Sequence, residues 1–241
     1  MASLHHATLS AVLTFLVVVS SGAGLIPGSG ASTVGEQEVT AQSDAIEALQ
    51  SVDSYRTYTN VDVAVGSDRA FSNVTAAVNR SMGAAAVSTA DGNETTYVVD
   101  GQVYRPDGED WQTEPVRDET TWFPARQQIE LLNESRVADV SERRDGTRTL
   151  SQVSLVPENR TLAAMLVAQP NNGIDSAESV TITRRSYDLL VNASTDRLLK
   201  VEMTLDFRHD GDRGWATMVT WFSGYNRTTP TVPADLQADA E

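Results

Sequence analysis

The sequence predicts an α+β fold: one long antiparallel sheet that twists and curls, with a few short helices against one face. Three observations predict it. Apolar residues alternate with polar ones over long runs, as strands with one buried face require. Asp-Gly, a strong hairpin-turn signal, occurs at Asp91, Asp100, Asp107, Asp145 and Asp210. Helical spacing is confined to short segments.

The elements follow in order. Ser43 is a good N-cap, with Asp44 and Glu47 in the first turn. Ile46, Leu49 and Val52 then recur at helical spacing, so residues 44–53 read as a short amphipathic helix. Val61, Val63 and Val65 next alternate with Asn60, Asp62 and Ala64, and a second strand surrounds Val74, Ala76 and Val78. In the run from Thr95 to Tyr104, a two-residue Asp100-Gly101 turn sets Val98 opposite Val103 and Tyr97 opposite Tyr104. Pro124 suits a first helical turn, with Ile129 and Leu132 following on one face. Residues 136–157 form a hairpin turning at Asp145-Gly146, and a further helix covers about residues 160–168, with Leu162, Met165 and Leu166. In the last third Leu199, Val201, Met203, Leu205 and Phe207 alternate with Lys200, Glu202, Thr204, Asp206 and Arg208. After the turn at Asp210, the run 215–225 has large residues at both parities: Trp215, Val219 and Trp221 against Met218 and Phe222. That pattern predicts a strand covered on both sides. About eight or nine such strands in one sheet must twist and curl.

The N-terminus carries an export signal. Residues 7–26 have no charge, and Leu9 to Val19 has the length of a signal-peptide apolar core. Ser21-Gly22-Ala23 and Ser29-Gly30-Ala31 fit small-residue cleavage sites, while 20 uncharged residues also reach the length of a membrane anchor. The expected organisation is a signal peptide or membrane anchor over 1–31, a flexible tether over 32–42, the folded domain over 43–236 and an acidic tail over 237–241. Either reading of the leader puts the domain on the extracellular side of the cytoplasmic membrane, secreted or anchored.

Asn-x-Ser/Thr occurs at Asn73, Asn79, Asn93, Asn133, Asn159, Asn192 and Asn226, seven of the ten Asn residues, where the Ser and Thr content predicts about two by chance. The excess predicts N-glycosylation of an exported surface. On the strand around Val74 to Val78, Asn73 and Asn79 fall on the polar parity.

Thirty-three acidic residues oppose 18 basic ones, giving a net charge of −15, all of it from Glu36 onward. A field that negative repels the many phosphates of a nucleic acid, which argues against nucleic acid as a partner. Seventeen of the 18 basic residues are Arg, and the only Lys is Lys200. Acidic, lysine-poor composition resembles halophilic proteins, whose self-repulsion is screened by salt. The absence of Cys removes disulfides, thiolate nucleophiles and cysteine-held metals.

No catalytic constellation stands out. The only His residues are His5, His6 and His209, two of them in the leader, and no HExxH, Walker loop or GxGxxG is present. Asp107, Glu109 and Asp110 read as a solvated acidic loop. Asp206, Asp210 and Asp212 lack the spacing of a full calcium loop. The reading is a non-enzymatic monomer without cofactor or metal.

One segment carries a family resemblance. A short helix, antiparallel strands and the hairpin Tyr97-Val98-Val99-Asp100-Gly101-Gln102-Val103-Tyr104, running on to Trp111, resemble the LolA/LprG-like lipoprotein group, as does Val232-Pro233 after an aromatic strand. The resemblance covers about residues 43–236. It implies a curved antiparallel β half-barrel with a few short helices packed on the concave face and an apolar cavity between them. Members of that group carry or sense lipids or other apolar molecules at the outer face of a membrane. The chain departs from the group in having no lipobox Cys, so its leader must be cleaved or serve as the anchor. The apolar parity of the best strands then supplies the expected pocket lining: Val61, Val63, Val65, Leu199, Val201, Met203, Leu205, Phe207 and Trp221. Two alternatives remain: a glycosylated envelope domain with a filled core, and the extracellular sensor part of a regulatory system.

Overall fold

The computed structural model describes residues 43, 46, 47, 49–89, 95–108, 110–116, 129, 131–167, 174 and 176–238. The leader, the tether, Asn93, the Asp91-Gly92 turn and Pro124 lie outside the described residues. Eleven strands form one antiparallel sheet: β1 (Ser54–Val65), β2 (Asp68–Asn79), β3 (Ala84–Thr89), β4 (Thr95–Val99), β5 (Gln102–Asp107), β6 (Asp110–Pro115), β7 (Ser135–Asp145), β8 (Arg148–Pro157), β9 (Val180–Asn192), β10 (Arg197–His209) and β11 (Asp212–Ser223). Their order is β6-β5-β4-β3-β2-β1-β11-β10-β9-β8-β7. Two meanders thus meet where the last strand pairs with the first, and the whole is an open, curved half-barrel. Its 11 strands exceed the eight or nine that periodicity indicates.

The turns follow the local chemistry. Asp100-Gly101 closes β4 onto β5 with Val98 opposite Val103 and Tyr97 opposite Tyr104. Asp145-Gly146 and Asp210-Gly211 turn β7 into β8 and β10 into β11. Asp100, Gly101, Asp210 and Gly211 all adopt positive φ, which Gly takes freely and Asp tolerates.

Register assigns the two faces. The inner face presents Tyr55, Val61 and Val63 of β1, Ala76 and Val78 of β2, Ala216, Met218 and Phe222 of β11, Val201, Met203, Leu205 and Phe207 of β10, and Tyr187 and Leu189 of β9. These belong to one core with Leu49 of the opening helix, Leu131 and Leu132 of a short central helix, and Leu162, Met165 and Leu166 of the helix Asn159–Val167. The helices therefore pack on the concave side. A second, smaller core lies on the outer face of β4–β6, where Val99 and Tyr104 meet Leu236 of the C-terminal helix Ala234–Ala238. Trp111 Nε1 donates to Asp235 Oδ2 at 2.9 Å, pinning that C-terminal segment.

Candidate functional site

The concave face is the candidate site, because it holds the largest continuous apolar surface that the strands build. Six of the sequence-predicted lining residues come together there: Val61, Val63, Val201, Met203, Leu205 and Phe207 are buried in one core, and Val65 packs against it partly buried. Cross-strand pairs order them: Val61 and Met203 both face Met218, Val63 and Leu205 both face Ala216, and Phe207 faces Gly214. The Phe207 ring lies against that glycine, since a Cβ there would sit 2.5 Å from two ring carbons.

Two expected lining residues are corrected by the geometry. Leu199 falls at a register shift between Leu198 and Lys200, so it is the extra residue of a β-bulge. Leu198 takes the inward place, 1% exposed, and the Tyr225 hydroxyl donates to its carbonyl. Burial pushes the Tyr225 hydroxyl pKa above its ordinary value. Trp221 points outward and is 39% exposed, stacked on Tyr58 at 5.6 Å between ring centroids with Lys200 Nζ over its face. The expectation that β11 is covered on both sides fails for the same reason. Its outer aromatics Trp215 and Trp221 are shielded by the cations Arg69 and Lys200, not by a second layer. Arg69 in turn pairs with Asp62 at 2.5 Å and holds that carboxyl below its usual range.

The two ends of the inner face differ. Toward the β9–β10 bulge end, Tyr55, Val78, Leu189, Leu198 and Val201 are fully buried. Toward the β1–β2 and β10–β11 turns, the inward Val65, Val180 and Ile182 stay partly exposed and the inward Ala70 is exposed. The apolar surface thus reaches solvent at one end.

Buried polar atoms without hydrogen-bond partners divide between the faces. Asn60 Oδ1 and Asn73 Oδ1 belong to directly paired residues on the outer face. Thr89 Oγ1 and Arg185 Nε belong to residues of inward parity, opposite Val74 and Leu205. Arg185 escapes the sequence reading because Arg184 and Arg185 are adjacent, and period-two patterning alone cannot say which one faces inward.

The acceptor asparagines are differently placed. Asn133 and Asn226 are exposed, while Asn73 is partly buried on the outer face between exposed Phe71 and Thr75. Asn79 Nδ2 donates to Thr228 O at 3.2 Å, so Asn79 is not freely solvated as its parity suggests. Asn159 Oδ1 accepts from Arg185, Asn192 Oδ1 accepts from Ser194, and Asn226 Oδ1 accepts from Asp53 N. Several of these Asn residues thus also serve local structure. Among the described residues no His, Asp or Glu cluster could hold a metal, and no helix is long and apolar enough to cross a membrane.

An open, curved antiparallel sheet with short helices on its concave side defines the LolA/LprG-like fold, and this chain has it. It is similar to LprF from Mycobacterium bovis at 14% identity, covering 82% of this chain and 96% of that one with a TM-score of 0.50. Weaker matches include the lipoprotein LppX from Mycobacterium tuberculosis (11% identity, 82% and 99% of the two chains, TM-score 0.44) and a LolA-superfamily protein from Nitrosomonas europaea (9%, 83% and 96%, TM-score 0.32). No family model matches the chain, and no curated protein sequence does.

Proposed function

We propose that the chain is an exported, non-enzymatic binding domain that takes up a lipid or other apolar ligand between the sheet and its helices. One observation carries this reading. The inner face is mostly apolar, and Val65, Val180 and Ile182 leave that surface partly exposed toward the β1–β2 and β10–β11 turns. A contiguous apolar patch that reaches water, unlike scattered apolar residues, marks a ligand or partner site. The fold supports the reading, since the LolA/LprG-like resemblance implies an apolar ligand held in this place.

The domain works outside the cytoplasmic membrane, near its surface, delivered by the 1–31 leader. Asn133 and Asn226, both exposed, are better placed than the partly buried Asn73 to carry glycans. It acts as a monomer: the edge strand β7 exposes Arg136, Asp139, Glu142, Arg143 and Arg144 and carries a register shift, both of which deter edge-to-edge pairing.

A second reading has its own observation. Leu49, Leu131, Leu132, Leu162 and Leu166 fill the concave side to 2% exposure or less, as a closed core of a structural envelope domain does. Uptake from vesicles separates the two. The protein is incubated with phospholipid vesicles, re-isolated by flotation, and its lipid quantified. The carrier reading expects bound lipid, reduced at least about tenfold by Val65→Arg, which places a charge at the open end. Lipid-free protein supports the filled core instead, and equal uptake by the variant contradicts entry at the Val65 end.

A further inference from the structure

On the proposed binding function rests a second step, which concerns the ligand's polar end. We propose that Arg185 is an anion-recognition residue and that the ligand is an amphiphile with an oxyanionic headgroup, a carboxylate or a phosphate.

Arg185 stands opposite Leu205 on β9, two residues before Tyr187, with which it shares inward parity. Its neighbours on that face are apolar: Tyr187 and Leu205 are 0% and 1% exposed. Nη1 donates at 2.6 Å to Oδ1 of Asn159, the first residue of the helix Asn159–Val167, which packs on the concave side. That partner is neutral. Nε is buried with no partner. Among the described residues no carboxylate pairs with Arg185, although the chain carries 33 acidic side chains.

The guanidinium is half-buried, so water reaches part of it, but its Nε donor lies buried and unsatisfied in the empty protein. An oxyanion supplies what the site lacks, because the planar donor fork matches carboxylate and phosphate oxygens. The location fits an amphiphile. Ile182, three residues away on the same strand, belongs to the partly exposed apolar end, and Leu205 and Phe207 lie across on β10. A headgroup at Arg185 therefore leaves its chain along the buried inner face, with the polar end nearest solvent.

The test uses three ligands with one chain length: hexadecanoate, hexadecyl phosphate and hexadecanol. Their affinities for the full chain and for Arg185→Gln and Arg185→Lys are measured by titration at pH 7. The wild type should bind at least one of the two anions roughly tenfold or more tighter than the alcohol. Which anion is preferred distinguishes the carboxylate source from the phosphate source. Arg185→Gln should bring the anions down to the alcohol's affinity and leave the alcohol unchanged, while Arg185→Lys keeps part of the preference. The unchanged alcohol affinity also shows that the variant is folded. Equal affinity of the wild type for all three ligands, or a preference that survives Arg185→Gln, overturns the headgroup proposal and leaves apolar binding standing. No binding of any of the three overturns both.

Discussion

Tyr225 shows how one side chain bears on which neighbours face inward. Its hydroxyl donates to the carbonyl of Leu198 at the β10 bulge, and its ring lies in the core. Tyr225→Phe removes that donor and keeps the ring. The expected loss is about 1–2 kcal/mol in urea unfolding, the net value of one buried hydrogen bond plus an unsatisfied carbonyl. At the outer face, Arg69 lowers the Asp62 pKa, so the pair stabilises the fold above the ordinary carboxylate range and loses that contribution as pH falls through the depressed value. With Arg69 63% exposed, solvent screens the pair and its contribution is small. Asp62→Asn should therefore be slightly less stable than wild type at pH 7, with the gap closing in unfolding curves taken near pH 2. Residue-level legibility was uneven for physical reasons. Val201 to Phe207 alternate without ambiguity. Leu199 could not be placed, because a bulge is set by pairing with β9 and by Tyr225, both remote in sequence. Trp221 misled because an aromatic residue can be shielded by Lys200 and Tyr58 as well as by a core.

At the scale of elements, the hairpins were the most readable feature, since Asp-Gly chemistry is local. The pairings Val98 with Val103 and Tyr97 with Tyr104 follow from two residues. The seam between β1 and β11 was not readable, because nothing local joins strands at opposite ends of the domain. That seam depends on Gly214, which pairs with Val65 and lies under the Phe207 ring. Added at Gly214, a Cβ meets the Phe207 ring at 2.5 Å and the Ala64 carbonyl oxygen at 2.9 Å. Gly214→Ala should cost about 1–3 kcal/mol through overpacking, read as a lowered thermal midpoint. Phe207→Leu in the same chain should recover part of that loss, and a double variant no better than Gly214→Ala would place the strain in the backbone. The C-terminal strap over β4–β6 was also hidden in the sequence, since Leu236 and Asp235 find Tyr104 and Trp111 only through tertiary contact.

For the whole molecule, charge and cavity are separate questions. A net charge of −15 makes self-repulsion a general destabilising term, and salt screens it. The thermal midpoint should rise between low and molar sodium chloride, and equal midpoints would remove the halophilic reading without touching the fold. The curvature that puts the helices on the concave side follows from the length of the sheet, 11 strands without closure. What lies between sheet and helices decides the function, and it is most directly tested on the protein as the cell makes it. The chain is purified from its native source without detergent exchange, extracted with organic solvent, and the extract weighed by mass spectrometry against protein. The account predicts an amphiphile near one per chain, anionic in kind. Protein that comes out empty in repeated preparations would contradict it.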